Sequence, residues 1–158
     1  MRFWDTSAVV PLCVSEPATQ RISRILKEDE AMVVWWASRV ECESALARRV
    51  REGSLATAAV RQAMVILDSL TDTWSEVEPV PAVRSAAERL LRVHPIRAAD
   101  ALQLAAALLW AGGSPRDHVV VCLDHILRDA AAREGFTLLP TETGRASLPN
   151  AAEPQPSR

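Results

Sequence analysis

The chain has 158 residues, a net charge of −2 with a pI near 5.9, and three cysteines. A chain of this length buries roughly two thirds of its unfolded surface as one domain without staples. Cys13, Cys42 and Cys122 are too few and too scattered for a disulfide framework or a zinc site, so they read as small core residues of a reducing compartment. The longest apolar run, Leu104 to Gly112, falls short of the roughly 18 residues of a membrane span, and no leader-like segment opens the chain, so a soluble, cytoplasmic protein is expected. The charge balance gives no global attraction to nucleic acid, and Lys27 is the only lysine.

In chain order, an apolar run from Arg2 to Trp4 stops on Asp5, as a buried central strand passing directly into a helix would. A second helix is expected in "PATQRISRILKED", opened by Pro17 and carrying Ile22, Ile25 and Leu26 at helical spacing. "AMVVWW", residues 31 to 36, reads as a second buried strand. "SRVECESALARRVREG" has start and stop signals for a helix in Ser38 and Gly53, and residues 55 to 70 form another with apolar residues on most faces. "TWSEVEPV" is a short strand. Prolines 81 and 95 bound a further helix, and "IRAADALQLAAALLWAGG" is one closed by glycines. "HVVVCLD" is a clear strand, "HILRDAAAREG" its helix and "FTLLP" a last strand. This alternation predicts a parallel sheet sandwiched by helices over residues 1–140, and residues 141–158 turn polar and read as a mobile tail.

Two of the expected strands end in an aspartate at one sheet edge, Asp5 and Asp124. Ligands bind at that edge in open α/β sheets, although Asp5 has a structural explanation as the cap of the helix that follows. Asp100 is the single acidic residue near the start of an otherwise apolar helix, a place the helix dipole alone would favour. After the second strand the choice is open between Glu41, which fits a Ser38-x-x-Glu41 capping box, and Glu43, which the helical wheel puts on the apolar side with Val40, Leu46, Ala47 and Val50. Two carboxylates about 4 Å apart repel by roughly 4 kcal/mol at an effective dielectric of 20, so four would gather only around a cation. Hard oxygen donors select Mg²⁺ or Mn²⁺, which suits metal-assisted hydrolysis of a phosphodiester.

"MRFWDTSAVVPL", "SRVECESALARRVREG", "RAADALQLAAAL" and "VVVCLDHILRDAAAREGFTLLP" together resemble the four acidic motifs of the PIN domain, in particular the VapC toxin ribonucleases of bacterial toxin–antitoxin pairs. The likeness runs over about residues 1 to 140, in order. It implies an α/β/α fold around a five-stranded parallel sheet, Mg²⁺- or Mn²⁺-dependent cleavage of RNA, homodimerisation and inhibition by a cognate antitoxin. Carried over by motif, Asp5, Glu41, Asp100 and Asp124 are the implied catalytic set, with Asp5, Asp100 and Asp124 on the metal and Thr6 or Ser7 as the adjacent hydroxyl. The fourth motif departs from the commoner Thr-Asn-Asp form at Asp124.

The competing reading is a non-catalytic receiver-like or interaction module with an acidic Mg²⁺ pocket. A receiver should carry a second acidic residue beside the first and a lysine after the last strand, whereas Asp5 is followed by Thr6 and Ser7. A dinucleotide-binding enzyme lacks its glycine-rich loop here. His94, His118 and His125 suggest nothing convergent. Arg48, Arg49 and Arg51 fit either a solvated helix face or a phosphate-binding patch. Strand alternation should bury one of Trp35 and Trp36 and expose the other, where it could stack on a base.

Overall fold

A computed structural model describes residues 1–141; the remainder of the expected tail lies outside the described residues. Five short strands, β1 (Arg2–Trp4), β2 (Met32–Trp35), β3 (Ser75–Val77), β4 (Val119–Val121) and β5 (Thr137–Leu139), form one parallel sheet in the order β3-β2-β1-β4-β5. Seven helices join them: α1 (Thr6–Cys13), α2 (Thr19–Glu28), α3 (Ser38–Arg51), α4 (Thr57–Thr71), α5 (Pro81–Val93), α6 (Ala98–Trp110) and α7 (His125–Glu134). No helix among the described residues is long and apolar enough to cross a membrane.

Successive strand residues point to opposite faces, and both faces are covered. Phe3, Val33, Trp35, Val120 and Cys122 pack under α5, α6 and α7. Trp4, Met32, Val34 and Val121 pack against α1 to α4 on the other side. The result is the expected three-layer α/β/α sandwich, with Cys13, Cys42 and Cys122 as free, buried residues. As expected, Trp35 is buried and Trp36 exposed.

Chain order and sheet order together fix where a site can form. From β1 the chain steps through β2 to β3 at one edge, then returns through α5 and α6 to lay β4 on the other side of β1. The carboxyl ends of β1 and β4 therefore flank the point where the winding reverses, and a crevice opens there. Boundaries differ from expectation at two instructive places. Pro17 does not open α2, which begins at Thr19 after a turn in which the Thr19 hydroxyl donates to the Pro11 and Val14 carbonyls. The strand expected to end at Asp124 stops at Val121, because the chain turns away from the ladder to start α7 with Asp124 as its cap.

Candidate functional site

Asp5 directly follows β1 and caps α1, its Oδ2 accepting from the Ser7 amide at 2.9 Å. Capping explains the residue type but not the burial: Asp5 is only 6% exposed. Burial pushes its carboxyl up to about 6, with the Ser7 hydrogen bonds pulling the other way and the nearby Glu41 charge adding to the rise. The Cys122 thiol, 3.5 Å from Asp5 Oδ2, is itself pushed up by burial and by Asp5, so it stays a neutral neighbour.

Ser7 stitches the first motif to the fourth. Its Oγ accepts from the amides of Leu123 at 2.8 Å and Asp124 at 3.1 Å, which holds the β4–α7 turn against the start of α1. Asp124 is exposed there, its Oδ1 accepting from Ile126 and Leu127 amides as the α7 cap.

Of the two glutamates of α3, Glu41 faces the end of β1 and Glu43 faces away. The Ser38–Glu41 capping box does not form, since Ala37 is the N-cap and no side chain bonds to the helix start. Instead Glu41 Oε2 accepts from the Thr6 hydroxyl at 2.6 Å and from Gln103 Nε2 at 2.7 Å, and the same amide reaches Thr6 Oγ1 and Ser38 Oγ. Glu43 lies on the outer face, paired with Arg39 at 3.4 Å. The wheel misled because the buried stripe of α3 is Ser38, Cys42 and Leu46, whereas Val40, which had marked the apolar side, is 66% exposed.

Gln103 escaped the sequence reading. It is 2% exposed in the middle of an apolar helix, with its Oε1 unpartnered among the described residues. A lone amide on a helix with no solvated face was the available signal, because a buried polar group is stabilised only by partners. One turn of α6 separates it from Asp100, whose Oδ2 accepts from the Arg97 amide at 3.1 Å at the helix start, so both face the same place.

These residues share one hollow of about 560 Å³ at the carboxyl edge of the sheet, lined by Asp5, Thr6, Ser7, Glu41, Asp100, Gln103 and Asp124. Arg48 and Arg49 close its far wall, Arg49 being paired with Glu16. Two of the three histidines are elsewhere: His94 is buried against Glu134, and His118 packs on Trp110.

The same architecture occurs in solved structures. PAE2754 from Pyrobaculum aerophilum superposes with a TM-score of 0.58 at 19% identity, over 87% of this chain and 82% of that one. FitAcB from Neisseria gonorrhoeae gives 0.56 at 16% identity, over 87% and 96%. The fold is PIN-like. No family model and no curated protein matches the chain, so the likeness between this PIN-like domain and its neighbours is one of architecture.

The carboxylate donors of the cleft are of the type that could hold a hard divalent cation. Among the described residues, each aspartate ties one oxygen to a backbone amide, Asp5 Oδ2 to Ser7, Asp100 Oδ2 to Arg97 and Asp124 Oδ1 to Ile126 and Leu127, and has no donor on the other. That is how oriented carboxylate ligands are held. Among the described residues no three His, Cys, Asp or Glu side chains are grouped so as to hold a metal ion together. Mg²⁺ does not require one, since it is bound by one or two carboxylates and completes its shell with waters and phosphate oxygens.

Proposed function

We propose that this PIN-like protein is a Mg²⁺- or Mn²⁺-dependent endoribonuclease, acting as a VapC-type toxin that a cognate antitoxin holds in check. The observation that carries the reading is the arrival of Asp5, Glu41, Asp100 and Asp124, from four separate stretches of chain, in one cleft at the strand ends. The order and spacing of the same four motifs support it independently.

In this reading the metal would be held from among Asp5, Asp100 and Asp124, by one or two of their oxygens that accept from no donor. When bound, the ion supplies a water acidified for attack and a positive charge against the scissile phosphate. The protein does the positioning. Thr6 and Gln103 occupy Glu41 Oε2, which fixes the carboxylate and directs Oε1 to accept the proton of the attacking water. The water oxygen would bond to phosphorus as the bond to the ribose oxygen breaks, the water proton passing to Glu41 and the leaving ribose oxygen taking a proton from solvent. Ser7 keeps the first and fourth carboxylates in register.

The reading includes a homodimer; on α4 the exposed Val65 supports it, Ala63 and Leu67 being buried and Met64, Ile66 and Leu70 packing partly against the same core. A cytoplasmic place completes the proposal.

The test is incubation of folded, antitoxin-free protein with mixed structured RNAs plus Mg²⁺ or Mn²⁺, then with chelator. Cleavage that chelator stops is the expected result. Intact RNA with both metals rules the nuclease reading out.

A further inference from the structure

A second hollow, of about 320 Å³, shares no residue with the cleft. His94 and Pro95, in the link between α5 and α6, line one side, and Ile126, Asp129, Ala130 and Arg133 of α7 line the other. Those four recur at i, i+3, i+4 and i+7, so they share one face of the helix. Ile126 is 52% exposed there, an apolar side chain left in water beside an exposed proline. Asp129 and Arg133 stand four residues apart with the acid first, the order that best favours an ion pair along a helix. On α3 such pairs form even in the reverse order, Arg39 with Glu43 and Arg48 with Glu52. Asp129 and Arg133, by contrast, have no side-chain hydrogen bond or ion pair among the described residues, and both border the hollow. His94 adds a third polar group. Its Nε2 meets Glu134 Oε1 at 2.7 Å, and Arg89, 2.8 Å from the other carboxylate oxygen, holds the Glu134 carboxyl below its usual range. Glu134 is therefore an acceptor, which puts the proton of the neutral imidazole on Nε2 and leaves Nδ1 as an acceptor. That Nδ1 is buried without a partner among the described residues.

We propose that this hollow binds a free α-amino acid with an aliphatic side chain, its carboxylate on the Arg133 guanidinium, its ammonium on Asp129 at the His94 side, and its side chain against Pro95, Ile126 and Ala130. The site is independent of the nuclease reading. Its charges choose the ligand class. A simple anion would pair with Arg133 but face Asp129, and a simple amine would pair with Asp129 but face Arg133. A zwitterion satisfies both, with charge-assisted hydrogen bonds of about 2.8 Å at each end. In an α-amino acid the two charged groups hang from one carbon, so one small molecule can span an acid and a base that do not reach each other. The third substituent of that carbon then covers apolar surface that Ile126 and Pro95 leave in water. An unpartnered acceptor in the same wall favours an N–H of the ligand over more apolar surface. Size agrees, since ligand pockets run from about 300 to 1,000 Å³ and this one lies at the small end.

The experiment titrates L-leucine into the full chain in EDTA and follows the amide NMR spectrum. Three relatives of the ligand are titrated beside it: leucinamide, which lacks the carboxylate, isocaproate, which lacks the ammonium, and glycine, which lacks the side chain. The protein variants are Asp129→Asn and Arg133→Gln, both at exposed positions without partners, so the fold is kept and circular dichroism checks that it is. L-Leucine should shift amides of α7 and of the link around His94 in a saturable way. Losing a hydrogen bond to a charged group corresponds to about 10- to 100-fold in affinity. Leucinamide, isocaproate and each variant with L-leucine should therefore bind more weakly by that factor, and glycine should bind more weakly than L-leucine. A spectrum that L-leucine does not change overturns the site. So do saturable shifts confined to other parts of the fold, or binding that survives both Asp129→Asn and Arg133→Gln. Leucinamide or isocaproate binding as well as L-leucine would show that one charge alone is read, which overturns the zwitterion. No RNA or metal enters these titrations, so their failure leaves the nuclease reading standing, and an inactive nuclease leaves this site standing.

Discussion

Replacing Asp5 by Asn tests the electrostatics of the cleft without any substrate. The unfolded chain ionises this carboxyl near 3.8, the folded protein near about 6. Between those values the native state binds more protons than the unfolded one, so stability falls as pH rises through the interval and is flat above it. At about 1.4 kcal/mol per pH unit, the ionised carboxylate opposes folding by about 3 kcal/mol at neutral pH. Asn cannot ionise, and its side-chain oxygen can still accept from the Ser7 amide, so the cap survives. In EDTA, urea denaturation should give Asp5→Asn and the parent nearly equal stability near pH 4, with the variant ahead by about 2–3 kcal/mol at pH 7.5. Added Mg²⁺ should narrow that gap by stabilising the parent, while the variant loses cleavage. A difference between the two proteins that does not change between these pH values would refute the assignment of a buried, strained carboxylate at Asp5.

Three further outcomes are expected. Glu41→Gln should lower cleavage by about 10²- to 10⁴-fold, whereas Glu43→Gln, on the exposed face with one partner at 3.4 Å, should match the parent in activity and lie within about 0.5 kcal/mol in denaturation. Asp100→Asn should shift stability by a few tenths of a kcal/mol, because Asn can also accept from the Arg97 amide; its cleavage should fall by orders of magnitude and its melting temperature respond less to Mg²⁺. Gly135→Ala should destabilise by about 1–2 kcal/mol in urea, since Gly135 closes α7 at φ +104° and a Cβ would stand 3.4 Å from Pro115 Cγ; cleavage well below its melting temperature should be unchanged.

The central strands were legible because they are buried on both faces and so write themselves as continuous apolar runs, as "MVVW" does in β2, whereas the edge strand β3 is largely exposed. The strand ends were legible too: Asp5 is acidic where the apolar run breaks. What the sequence obscured was direction around a helix. Glu41 matched a capping motif, and only the proximity of α1 and α6 turns it toward Thr6 and Gln103 instead of its own helix. Glu43 looked buried because Val40 and Ala47 are apolar, yet both are exposed, and apolar residues on a surface are ordinary. Gln103 depends on contacts to residues 62 to 97 positions away, which no local pattern encodes. Ser7 is similar, its role lying in amides 116 and 117 residues further along.

The place of β1 in the middle of the sheet also governs when the cleft can exist. Phe3 lies beside Val33 on one side and Val120 on the other, pairings that span 30 and 117 residues. Long-range parallel pairing is slow to form, because the loop must close before any contact rewards it. During synthesis the segment holding Asp5 and Thr6 is made long before Gln103, Asp100 and Asp124, and the Ser7 clasp has nothing to hold until residues 123 and 124 leave the ribosome. A nascent chain therefore passes through most of its translation without an assembled cleft, and closure of the β1–β4 seam creates the whole site in one late event. The same seam makes loss of the site and loss of the fold a single transition in the finished protein.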